Sequence, residues 1–327
     1  MWNGGFPSGV GFSPIFFKII SKRPLPTTFI ENNILMTKQT GSANAVHYHS
    51  VDIDAVKIFY RAAGLETAPV ILLLHGYPTS SFMFRNLIPI LAKKYRVIAP
   101  DLPGFGFSDA PGRSGFSYTF DNLARSMQGF IDALKLEHFA LYIFDYGAPV
   151  GLRLALANPE KVTAIITQNG NAYEEGLSQG WNPIRRYWED PSSENRESLR
   201  DFVTVKITRF QYEEGVTDLS LIAPETYTLD QHILDKPEHV EIQLDLMLDY
   251  RTNVALYPKF QAYFRKEQPR ILAAWGNNDP YFLPAGAEAY KRDSPHATVK
   301  FYDTGHFALE THVEEIGADI LEFLDRG

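Results

Sequence analysis

Asp145, Asp279, His306 and Tyr77 stand in contexts whose residue types could carry out nucleophilic chemistry. Asp145 lies in Ile143-Phe144-Asp145-Tyr146-Gly147-Ala148-Pro149, an apolar run followed by a carboxylate and then small residues. This pattern predicts a strand, a sharp turn and a helix, with the side chain at the tip strained and presented outward. Pro149 suits a first helical turn, whose N–H groups have no partners to lose. A carboxylate at a strand end also has a plainer reading as a helix N-cap. Asp279, in Trp275-Gly276-Asn277-Asn278-Asp279-Pro280, and His306, in Asp303-Thr304-Gly305-His306-Phe307, each follow a strand-like run. Either residue alone could be a turn former or a loop residue. In the order carboxylate, carboxylate, histidine, they read as a nucleophile, an orienting acid and a base. Tyr77 sits in His75-Gly76-Tyr77-Pro78, a turn that can aim the Tyr77 backbone N–H at a developing oxyanion. A cis Tyr77–Pro78 bond suits so tight a turn, and an ordinary strand exit fits it equally well.

The elements that must position these residues alternate along the chain. Residues 45–51 and 56–62 read as a hairpin, and 70–74, 95–99, 139–144, 162–168 and 271–275 as apolar strands buried on both faces. Helical periods fall between them, at 120–134 and 147–157. The last helix carries Val313, Ile316, Ile320 and Leu324 on one face. Such alternation predicts an α/β fold with a mostly parallel sheet flanked by helices. From about 171 to 264 the strands stop. Aromatic, helix-like segments punctuated by Pro183, Pro191, Pro224 and Pro258 take over. They read as an inserted helical cap over the strand ends, where ligands bind in open α/β sheets. The expected organisation is a core of 45–170 and 265–327, a cap of 171–264, and a mobile extension of 1–44.

Composition narrows the function classes. The chain has 327 residues, and its apolar (45%) and charged (21%) fractions are those of an ordinary globular protein. The absence of cysteine rules out a Cys nucleophile, a disulfide scaffold and a Cys-based metal site. A net charge of −8 speaks against broad nucleic-acid binding. No stretch approaches the roughly 20 apolar residues of a membrane helix. Pro14 and Lys18 interrupt the N-terminal apolar run, so a secretory signal fits poorly and Met36 reads as a natural start. A cytoplasmic location is expected.

Three stretches, LHGYPTSSFMFRNLIPI at 74–90, APDLPGFGFSDAP at 99–111 and FDYGAPVG at 144–151, resemble the α/β-hydrolase branch containing epoxide hydrolases and haloalkane dehalogenases. The similarity runs from about residue 45 to the C-terminus and is weakest in the cap. The resemblance implies an α/β-hydrolase fold, Asp145 as nucleophile, Asp279 and His306 as its relay pair, and an oxyanion hole of the Tyr77 and Tyr146 amides. A carboxylate nucleophile displaces at an sp³ carbon and forms an alkyl ester of the enzyme, which activated water then hydrolyses. Ordinary esterase, lipase and peptidase chemistry therefore loses most of its weight.

Two leaving groups stay open. A halide needs anion-solvating donors, and the Asn and Trp usual in haloalkane dehalogenases are replaced here by Tyr77 and Tyr146. Tyr146 also stands where a fluoroacetate-type dehalogenase would want Arg. An epoxide needs a proton donor. Asp249-Tyr250-Arg251-Thr252-Asn253 is similar to the Tyr-Arg-x-Asn segment that carries one in epoxide hydrolases, and Tyr212 is a weaker match to the other. The reading is an epoxide hydrolase, with a dehalogenase of atypical halide site, or a hydrolase-fold binding protein without turnover, as alternatives. No cofactor or metal is expected: His47 and His49 share a strand face without a further ligand nearby, and Gly104-Phe105-Gly106 reads as a structural loop rather than a dinucleotide site. His75 is expected to pack behind the oxyanion turn. The expected partners are water and a small apolar or aromatic substrate, with no nucleic acid or membrane. Oligomeric state stays open, a homodimer included.

Overall fold

The computed structural model describes residues 45–326 together with Met1. The extension expected over 1–44 and the start expected at Met36 lie outside the described residues. Eight strands form one sheet: β1 (His47–Ile53), β2 (Val56–Ala63), β3 (Val70–Leu74), β4 (Arg96–Pro100), β5 (Phe139–Phe144), β6 (Val162–Gln168), β7 (Ile271–Gly276) and β8 (Thr298–Tyr302). Their spatial order is β1-β2-β4-β3-β5-β6-β7-β8. Pairing is antiparallel for β1 with β2 and β2 with β4, and parallel from β4 onward. The β1–β2 hairpin turns through Asp54, whose φ of 52° is the left-handed geometry such short turns require.

The core strands are apolar throughout because both faces are covered. In β5 every residue is buried. Phe139, Leu141 and Ile143 pack to one side, and Ala140, Tyr142 and Phe144 to the other. This is the two-residue alternation of a strand read against two separate helical layers. One layer holds α1 (Leu87–Leu91) and, from the far end of the chain, α10 (Val313–Asp325). The other holds α2 (Phe120–Ala133) and α3 (Gly147–Ala157). Each fully buried Leu, Ile or Phe in these layers contributes about 1.5–3 kcal/mol.

Between β6 and β7 the regular elements are all helical: α4 (Asn182–Glu189), α5 (Ser193–Ser198), α6 (Val205–Glu213), α7 (Pro224–Leu234) and α8 (His239–Glu267), with short 3₁₀ turns among them. Pro183 and Pro224 fall at helix starts, where proline is tolerated. Pro258 instead lies inside α8, so the helix continues to Glu267 rather than breaking near 258 as the sequence pattern suggested. The insertion is docked on the core through the Asp249-to-Asn253 segment. The Phe120 N–H at the start of α2 donates to Asp249 Oδ2 at 2.7 Å, and Arg153 Nη1 of α3 donates to Asn253 Oδ1 at 2.6 Å. A final helix on the α2–α3 side, α9 (Pro284–Asp293), connects β7 to β8.

Candidate active site

Asp145 tops the turn between β5 and α3 with φ of 47°. Left-handed backbone is costly for a residue with a side chain, and such strain collects where function requires it. The turn is possible because Gly147 comes next in the helix: a Cβ there would stand 2.3 Å from the Leu74 carbonyl oxygen. Gly76 on the neighbouring loop is equally constrained, since a Cβ would meet Asp145 Oδ1 at 2.3 Å.

That closeness brings the oxyanion turn onto the carboxylate. The Tyr77 N–H donates to Asp145 Oδ1 at 2.6 Å, and the Tyr146 amide is a second backbone donor to the same carboxylate. The Tyr77–Pro78 bond is cis. His75, fully buried behind the turn, accepts from the Leu102 N–H through Nε2 at 2.9 Å, so its Nδ1 carries the proton and donates to the Gly76 carbonyl at 2.9 Å. Burial holds its pKa down, and the ring is a structural prop. The loop after β4 is likewise structural, wound around Asp101, which accepts from the Ser81 and Phe107 N–H groups at 2.7 and 2.8 Å.

His306 and Asp279 arrive from the ends of β8 and β7. His306 Nδ1 lies 2.7 Å from Asp279 Oδ2, and Nε2 faces Asp145 Oδ2 at 3.9 Å. With Nδ1–H donated to Asp279, Nε2 is the free base, directed at the nucleophile. The other Asp279 oxygen accepts from the Tyr281 and Phe282 N–H groups at 2.7 and 3.1 Å. Asn169, which follows β6 with φ of 45°, donates from Nδ2 to Asp279 Oδ2 at 2.7 Å and accepts the Gly276 N–H at 2.9 Å. Gln168 donates to the His306 carbonyl at 3.2 Å. Sequence reasoning passed over both residues; the Asn-Gly step closing β6 was the available signal.

Burial shapes the electrostatics. Asp145 is pushed up to about 6 by desolvation, opposed by His306 and by the Tyr77 and Tyr146 amides. His306 is also desolvated, which pulls it down, but Asp279 and Asp145 together outweigh this and leave it raised.

A cavity of about 40 Å³ adjoins Asp145, Tyr146, Tyr77 and His306. Its remaining wall is mostly apolar, with Trp181, Ile184, Phe202 and Met247 from the insertion and Phe282 from the β7 loop. The Trp181 indole N–H is committed to the Tyr281 carbonyl at 3.2 Å. Tyr250 and Tyr212, expected as the proton donors, are not among the residues that line this cavity. Tyr212 is buried, stacks on Phe307 and donates to Asp230 Oδ2 at 2.5 Å. Its neighbour Gln211, about 100° around the helix, takes the cavity-facing position. Tyr250 lies among Trp181, Tyr146 and Phe120, with its hydroxyl buried and without a well-formed hydrogen bond among the described residues. Sequence reasoning also passed over Tyr281, which lines the cavity. His47 and His49 are exposed on the edge strand β1. The described residues hold no cluster of three or more potential metal ligands and no helix long and apolar enough to cross a membrane.

Comparison with known proteins agrees with this fold. Residues 69–313 match the family described as alpha/beta hydrolase fold. An uncharacterized hydrolase of Saccharomyces cerevisiae is 48% identical over 279 residues, covering 84% of this chain and 96% of the relative. The haloalkane dehalogenase DbeA of Bradyrhizobium elkani superposes with a TM-score of 0.72 at 22% identity, over 86% of this chain and 98% of the other. The epoxide hydrolase CorEH superposes with a TM-score of 0.70 at 18% identity, over 86% and 99%. At such identities these two structures speak for the fold alone.

Proposed function

The chain belongs to the α/β-hydrolase family, and on that premise we propose that it opens small epoxides to diols through an alkyl ester on Asp145. The observation that carries this reading is the division of labour on one carboxylate. Oδ1 is occupied by the Tyr77 amide at 2.6 Å, while Oδ2 faces His306 Nε2 at 3.9 Å. Oδ2 attacks a ring carbon, the carbon–oxygen bond opens, and the product is held as an ester. His306, oriented by Asp279, then takes a proton from water, and that water attacks the Asp145 carboxyl carbon. The oxyanion forms on Oδ1, where the Tyr77 amide already donates, so that donor needs no reorganisation as charge develops.

An epoxide is favoured over a halide by the donors at hand. The indole N–H beside the cavity is already used by a backbone carbonyl, which leaves poor provision for a bare anion. Phenols, by contrast, border the site and suit a leaving oxygen that needs a proton.

Single turnover in ¹⁸O-water tests the reading, using a panel of short aliphatic and aryl epoxides beside alkyl halides. The expected first-turnover product is an unlabelled diol, with the label retained in Asp145. Label directly in that diol would mean one-step attack by water. Halide release without diol formation would move the reading to a dehalogenase, and binding without turnover to a non-catalytic protein.

A further inference from the structure

We propose that the leaving oxygen is received by Tyr281 and Gln211, with Tyr281 giving it the proton and Gln211 a hydrogen bond. This rests on the epoxide reading and names the acid it requires. The acid must line the cavity, which Tyr250 and Tyr212 do not. Tyrosines 77, 146 and 281 do line it. Tyr77 has its hydroxyl committed to the Phe202 carbonyl at 2.7 Å. The Tyr146 ring packs beside that of Tyr77, 5.7 Å between centroids. Tyr281 instead packs 6.3 Å from the ring of His306, whose Nε2 faces Oδ2, the attacking oxygen. Tyr281 thus borders the cavity beside the base that faces the attacking oxygen.

The build of this residue also suits the role. Its backbone is fixed on both sides: its N–H donates to Asp279 at 2.7 Å, and its carbonyl accepts from Ser178 N–H at 3.1 Å and Trp181 Nε1 at 3.2 Å. Its hydroxyl makes no hydrogen bond among the described residues. Burial, with Asp279 and Asp145 nearby, raises its pKa, which keeps the phenol protonated at any working pH. Gln211 on α6 is 5% exposed, and its carboxamide likewise has no hydrogen-bond partner among the described residues. Facing the cavity, it is free to hydrogen-bond a substrate oxygen placed there.

The step balances. The bond from Asp145 Oδ2 to carbon forms as the ring carbon–oxygen bond breaks, and the electron pair goes to the ring oxygen. The Tyr281 O–H proton follows it, leaving a phenolate. In the second step the oxygen of the water stays on Asp145. One of its hydrogens completes the second product hydroxyl, and the other restores Tyr281.

The test uses the full chain carrying His306→Gln, in which ester formation can be followed as mass gained on mixing with an epoxide panel. Adding Tyr281→Phe should slow that gain about 10²-fold, the low end for a positioned acid. Adding Gln211→Met should slow it roughly 10-fold, as for a hydrogen bond to developing charge. Tyr250→Phe should leave the rate nearly unchanged. Unaltered ester formation with Tyr281→Phe, or slowing confined to Tyr146→Phe or Tyr250→Phe, would overturn the assignment while leaving the epoxide reading standing. No mass gain from any epoxide with Tyr281 and Gln211 intact would overturn the epoxide reading itself, and this inference with it.

Discussion

The Tyr77 amide holds Asp145 by one oxygen, at 2.6 Å. The same pair thus fixes the orientation of the proposed nucleophile in the resting protein and supplies a donor for the oxyanion of the second step. Gly76 makes the approach possible, because any side chain there would occupy the space of the carboxylate.

His306→Gln separates the two steps. Displacement needs only the carboxylate and an acid, whereas ester hydrolysis needs the base. The variant should gain the mass of one epoxide on Asp145, release at most one product equivalent and lose steady-state turnover. Intact-protein mass spectrometry, followed by proteolytic mapping of the adduct, checks this, and full turnover by the variant would remove His306 from the second step.

The pH dependence should differ between the steps. Asp145 attacks only when ionised, so ester formation should fall as pH drops through about 6. His306 must be neutral to accept the water proton. In the ester Asp145 carries no charge, so Asp279 alone opposes the desolvation of the ring, and ester hydrolysis should fall on acidification as His306 takes up its proton. Stopped-flow measurement of both phases across pH 5 to 9 reads the two limbs; a pH-independent first phase would contradict the ionisation of Asp145.

Stability should respond in the opposite sense. Asp145 is raised from 3.8 to about 6, so the folded state holds a proton over that window which the unfolded state has lost. Its ionised form therefore costs stability as pH rises through the window, on the order of 2–3 kcal/mol once fully charged. Asp145→Asn removes that charge. The variant should melt higher than the parent at pH 8, and the gain should vanish near pH 4, where both chains are uncharged at this position. Equal melting curves at pH 8 would argue that hydrogen bonds to the carboxylate offset its burial.

Asn169→Gly should weaken the relay pair while keeping the left-handed backbone that φ of 45° demands. Asp279 loses the 2.7 Å donor from Asn169, and a hydrogen bond to a buried charge is worth about 1.5–3 kcal/mol. Ester hydrolysis should slow roughly 10-fold, with ester formation much less affected. A larger effect on the first step would show that Asn169 supports Asp145 instead.

Much of this arrangement was legible in the sequence because it is local. Alternating apolar runs specify strands, small residues after Asp145 specify a tight turn, and Asp145, Asp279 and His306 each lie within four residues of the end of their own strand, so sheet order brings them to one edge. What the tertiary structure decided lies in the insertion and the loops beside it. A tyrosine count or a Tyr-Arg-x-Asn match does not say which side of a helix meets a cavity: on α6 one step of about 100° separates Gln211 from Tyr212, and packing against Asp230 and Phe307 chose which turned inward. Tyr250 was likewise set behind Trp181 by contacts among residues distant in the chain. Asn169 became legible only when β6 and β7 paired and brought it beside Asp279. Local pattern specifies where a strand ends; only packing specifies which side chains then face one another.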